Sequence, residues 1–195
     1  LFKVSRRYSS SPIQIVAWNY VFALVLCYFF FSPNLNDIGT SAPWGIYVPI
    51  GVLLPTIFLF LAASIKQVGI VKTDAAQRLS LFIPILAAWL LFKEDFNMLK
   101  ITAFLVGFPA LLLILAKPSQ NTTNKWIYPA VVLLGFGVID ILFKQIALYT
   151  TLPYTTSLFV VFGIALFIMI AAVVYDVIIT KVPLNFKNIR IIIIS

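Results

Sequence analysis

The sequence predicts an all-α integral membrane protein, and three observations carry that reading. Hydrophobic residues fill 62% of the 195 positions and charged residues only 10%, for a mean hydropathy of +1.07. A soluble domain carries roughly 25% charged residues, and a chain of this composition has too few to cover a water-facing surface. The apolar residues also gather into six runs, each long enough for the helix of about 20 residues that crosses a bilayer. Lastly, one short junction is written twice without a gap. Leu1, Phe2, Lys3, Tyr8 and Pro12 recur as Leu142, Phe143, Lys144, Tyr149 and Pro153, and Ser9 and Ser10 meet Thr150 and Thr151.

The six runs lie at about 13–31, 46–65, 75–92, 97–116, 127–148 and 155–179. Lipid offers the backbone no hydrogen-bond partners, so spans of this length are expected to be helices. Barrel strands would alternate apolar and polar residues, whereas every run here is apolar on both faces. Residues 1–4 read as the tail of an earlier span, and a further span begins near Phe186. With Leu1 at one end and IRIIIIS at the other, the chain reads as an excerpt of a longer protein. Between spans, FSPNLNDIGTSAPWG (31–45) has loop composition and FKEDFN (92–97) is a short charged turn. KPSQNTTNK (117–125) is the longest polar stretch and the expected linker between halves; its sequon at Asn121 is a short and common match.

Five spans separate the two copies of the junction. An odd number sends the second copy across the membrane in the opposite direction, as in the inverted-topology repeats of many secondary transporters. Coincidence in a biased composition is the alternative. On the repeat reading, residues 1–116 are the first five-helix repeat, 117–126 the linker and 127–195 the start of the second. Six complete helices and two partial ones would be present, out of ten in a protein of about 270–290 residues.

The net charge of +8 comes from scattered residues, without the basic stripe expected of a nucleic-acid binder. Sorted by side of the membrane, Lys3, Arg6, Arg7, Lys66, Lys72, Lys117, Lys125, Lys181, Lys187 and Arg190 fall together, against Lys93 and Lys100 opposite. The positive-inside rule places the first group in the cytoplasm. A single cysteine, Cys27, allows no internal disulfide, and the absence of histidine removes imidazole metal sites and histidine acid–base chemistry. No cofactor is expected.

The stretch DAAQRLSLFIPILAAWLLFKEDFNMLKITAFLVGFPALLLILAK (74–117) resembles the EamA-like branch of the drug/metabolite transporter superfamily. A helix with a mid-helix proline (Pro84) ends at an acidic turn (Glu94), and the next helix carries a glycine (Gly107) followed by small and aliphatic residues. PAVVLLGFGVIDILFK (129–144) resembles the first helix of that family's second repeat. The resemblance implies ten helices in two inverted repeats, alternating access, and a small metabolite or drug as substrate, in a multi-pass protein of the bacterial inner membrane. Family members are usually drawn with both termini in the cytoplasm, whereas the Lys/Arg count here sends the N-terminus out.

An ionisable group at mid-span costs roughly 2.5–3.5 kcal/mol, so it calls for a partner or a purpose. Asp140 is the clearest case, with Lys144 four residues later on the same face in the favourable acid-before-base order. They are either a self-neutralising pair or a proton or cation site tuned by the lysine. Lys3, the counterpart of Lys144, either snorkels or joins it in attracting an anion. Trp18 and Asn19, with Gln14 nearby, either bind helices together or line a cavity. Gln77 and Arg78, expected to open a helix, complete the substrate- or proton-binding candidates; Arg78 either snorkels or faces an anion. Gly135, Gly137, Pro55, Pro84 and Pro109 suit close packing or kinks.

The leading function is a secondary transporter, since no phosphate-binding loop of the ATP-driven kind is present. A non-transporting membrane scaffold is the alternative, and an intramembrane enzyme a weaker one, because few groups could converge into a catalytic site. The expected partners are a small-molecule substrate and the lipid bilayer, not nucleic acid. A homodimer is left open.

Overall fold

A computed structural model describes residues 11–34, 38, 42–90, 97–116, 126–150 and 152–179. Among these, seven helices follow one another: α1 (Pro12–Phe31), α2 (Trp44–Val68), α3 (Ile70–Ser80), α4 (Phe82–Leu90), α5 (Met98–Ala116), α6 (Ile127–Tyr149) and α7 (Tyr154–Ile179). Four of them, α1, α2, α6 and α7, are long and apolar enough to cross a membrane, and α5 has a shorter apolar segment, Ile101–Ile114. At 1.5 Å per residue, the 20 residues of α1 span about 30 Å, the thickness of a bilayer's hydrocarbon core.

The expected span at 75–92 is not one helix. The chain breaks at Leu81 into α3 and α4, and Pro84 supplies a physical reason. Proline has no N–H for the carbonyl four residues back, and its ring crowds that carbonyl; here that carbonyl belongs to Ser80. The turn tightens instead: the Leu81 N–H donates to the Arg78 carbonyl at 3.2 Å, and the Ser80 hydroxyl donates to the Gln77 carbonyl at 2.6 Å. Pro84 then sits in the first turn of α4, where backbone N–H groups have no intrahelical acceptor anyway.

A second break, at Gly69, separates α2 from α3. Its φ of +90° with ψ of 164° lies in a region that only glycine enters without strain. Thr73 ties the joint together, donating its N–H (3.3 Å) and its hydroxyl (2.9 Å) to the Gly69 carbonyl. That hydroxyl also lies 2.8 Å from the hydroxyl of Ser64.

The chain forms two compact units, residues 1–59 with 145–195, and residues 60–144. In the first, α1 packs along α7. Cys27 Sγ donates to the Thr155 carbonyl at 3.9 Å, and Ser11 Oγ donates to Asp176 Oδ2 at 3.2 Å. The N-terminal end of α1 therefore meets the C-terminal end of α7, and the two helices are antiparallel. Both open on proline: Pro12 is the first residue of α1, where a missing N–H costs nothing, and Pro153 immediately precedes α7. α1 ends in Ser32, left-handed at φ 43°, whose N–H caps the Tyr28 carbonyl. Gly51 lets α2 approach α7 so closely that a methyl group there would lie 2.7 Å from Ile164 Cβ.

In the second unit, α3 packs on α5 and α4. Phe82 stands edge-on to Phe104 and Phe108, with ring centroids 5.1 and 5.5 Å apart, and Phe104 stacks on Phe108 at 5.3 Å. Such pairs add roughly 0.5–1.5 kcal/mol beyond their burial. Gly107 makes room for them, since a Cβ there would come within 3.2 Å of Phe82 Cζ. Gly137 on α6 gives similar room to Ile83, whose Cβ would be 2.8 Å from an added methyl.

Candidate functional site

The break at Leu81 leaves Arg78 in the last turn of α3, the end of a helix that favours a cation. Asp74, one turn earlier, accepts from Arg78 Nε at 2.8 Å. Both side chains are more than half exposed, at 65% and 55%, so the pair stabilises the helix by only about 0.3–0.5 kcal/mol. Its consequence is positional: it fixes the guanidinium relative to its own helix.

Next to this turn lies a cavity of about 690 Å3 within the second unit. Leu81, Phe82 and Ile85 form the wall on the α4 side, and Phe104 and Leu111 of α5 form another. Among the described residues, two charged side chains reach it, Arg78 from α3 and Lys144 from α6. A smaller cavity of about 400 Å3 shares Arg78 and Leu111 with the first and includes Asp74. In the first unit, Cys27, Phe31, Leu158 and Phe162 help to wall an apolar cavity of about 370 Å3.

Two of the candidate residues thus line one cavity, Arg78 and Lys144. Asp140 is half-buried on α6, one turn before Lys144, and does not line the 690 Å3 cavity. It stands nine residues before the end of α6, a depth of about 14 Å. Gln77 is half-buried beside Arg78. Both residues close α3, so the expectation that they open a helix is corrected: that helix begins at Ile70. Trp18 and Asn19 are half-buried on α1 in the first unit and line none of the three cavities. Lys3 lies outside the described residues.

Several polar groups escaped the sequence reading. Tyr47 and Ser157 share a buried hydroxyl–hydroxyl bond of 2.7 Å, and Ser64 with Thr73 forms another across the Gly69 joint. Serines, threonines and tyrosines look unremarkable in an apolar run, and only the fold reveals which of them face each other. Asp176 escaped it too, although an acid inside the apolar run VVYDVII was a signal that could have found it; the structure pairs it with Ser11.

The model of the EamA-like transporter family matches residues 1–116. The chain belongs to that family. It is a multi-pass integral membrane protein, and EamA-like proteins are transporters rather than enzymes. An uncharacterised protein of Haemophilus influenzae is 36% identical over 179 residues, which cover 87% of this chain. This EamA-like chain spans about 61% of the length of that curated relative. No solved structure matches it.

Proposed function

We propose that the protein is a secondary active transporter that moves a small metabolite or drug across the bacterial inner membrane by alternating access between two inverted repeats. The observation that carries this reading is the family match over residues 1–116. The repeat draws support from the antiparallel course of α1 and α7, the two helices that follow the two copies of the junction. Opposed directions are what an odd number of intervening spans requires.

Proton coupling is part of the proposal and falls to Asp140. A half-buried carboxyl deep in a long apolar helix can take up a proton on one side of the membrane and release it on the other. The test uses the full-length protein in proteoliposomes, after a thermal-shift panel of metabolites and drugs has supplied a ligand. Asp140→Asn should abolish uptake driven by a pH gradient while the purified variant retains its fold and ligand-induced stabilisation. Uptake at the wild-type rate would remove Asp140 from the mechanism.

A further inference from the structure

We infer that the 690 Å3 cavity of the second unit is a binding site for an amphipathic organic anion, with its apolar or aromatic body on Phe82 and Phe104 and its carboxylate or phosphate at Arg78 and Lys144. The size fits, since small-molecule sites run from about 300 to 1,000 Å3. So does the lining, which among the described residues is apolar except for these two cations. Two cations reaching one largely apolar cavity raise the positive potential inside it, and an anion is the occupant that this potential favours.

The neighbouring carboxylates do not reverse this. Asp74 accepts from Arg78 Nε, and a guanidinium has five N–H donors, so four remain beyond that bond. Asp74 lines the smaller cavity rather than this one, and Asp140 lines neither. Asp74 is thus a positioning residue, holding Arg78 by one edge. The aromatic wall suits a flat body: Phe82 meets Phe104 at an interplanar angle of 82°, and ring faces and edges both accept a planar ligand.

This inference deepens the transporter reading by naming a substrate class, and it rests on that reading only for what the site is used for. Two sources share the chemistry, a water-soluble organic anion and the headgroup of an anionic lipid. The test is equilibrium binding of radiolabelled naphthoate to the full-length protein in phosphatidylcholine nanodiscs, beside naphthylmethylammonium, a cation of similar shape. Naphthoate should bind at least about tenfold more tightly, and Arg78→Gln and Lys144→Gln should each weaken it by about tenfold, the loss of one charge-assisted bond. Arg78→Lys should recover part of that loss.

No binding of the anion, or equal affinity for anion and cation in the unmutated protein, overturns the inference without any variant having to fold. Displacement of naphthoate by added phosphatidylglycerol supports the site and assigns it to a lipid headgroup; resistance supports it and assigns it to a soluble anion. Proteoliposomes separate the two proposals. Naphthoate bound but never carried would sink the transport reading and leave the site. Carriage of cations alone would sink the site and leave transport.

Discussion

In the first unit, helices of 20 and 26 residues lie antiparallel without a break, and the Tyr47 and Ser157 hydroxyls face each other in the core. In the second, the chain is cut at Gly69 and again at Leu81, the segment between the cuts is much more polar, and two cations reach a cavity. Proline content does not account for the difference. Pro49 and Pro55 lie inside α2 and Pro109 inside α5, all unbroken. What distinguishes Leu81 is a coincidence: a proline placed to strip the Ser80 carbonyl, together with a serine hydroxyl and an N–H that tighten the turn before it. The unit with the unbroken pair of helices packs them along one another, and the one with interrupted helices holds the larger, 690 Å3 cavity.

The comparison can be broken most forcefully at its two closest approaches. Gly51→Val and Gly137→Val would drive side chains into Ile164 and Ile83, and overpacking of this kind costs about 3 kcal/mol or more at its upper end. Thermal unfolding in detergent should show a large loss for both, with Ile164→Ala and Ile83→Ala each rescuing only its own partner. Cross-rescue would mean that the units do not pack independently.

Next comes the joint between α2 and α3. Gly69→Ala forces a Cβ into a backbone conformation that costs about 1–3 kcal/mol, and the melting temperature should fall accordingly. An unchanged melting temperature would show that Gly69 does not hold the conformation described. A smaller effect sharpens the picture of the first unit. Ser157→Ala leaves the Tyr47 hydroxyl buried without its partner, at a cost of about 1–2 kcal/mol. Tyr47→Phe should cost less, because Ser157 keeps a second acceptor in the Pro153 carbonyl at 3.3 Å. Equal losses from the two substitutions would show that the Pro153 bond contributes nothing.

The smallest effect is on the exposed pair. Asp74→Ala and Asp74→Asn should each change stability by less than about 0.5 kcal/mol, yet the alanine variant should bind the anion more weakly than the asparagine one, which keeps an acceptor for Arg78 Nε. Equal binding by the two variants would leave Asp74 without a positioning role.

The membrane class and the approximate position of each long helix were legible in the sequence, because both follow from runs of apolar residues that need no tertiary partner. The break at Leu81 was half-legible. Pro84 was seen as a kink, but an apolar run read by length alone merges α3 with α4. That Arg78 and Lys144 line one cavity could not be read at all, since the two are 66 positions apart in sequence and nothing in either local pattern refers to the other. Asp140 and Lys144 looked like one site by helical spacing, yet only the lysine lines the cavity. Helical spacing reports a shared face and leaves open what that face looks onto.

Cys27 has a practical consequence for anyone following motion in this molecule. It is the chain's one thiol, only 2% exposed, with its sulfur against the Thr155 carbonyl of the neighbouring helix. While α1 and α7 stay together, the sulfur is shielded on the α7 side and borders the small apolar cavity that Cys27 helps to wall. The rate at which Cys27 takes up a charged alkylating label too bulky for that cavity therefore reports how often this helix pair parts, and whether substrate changes that frequency.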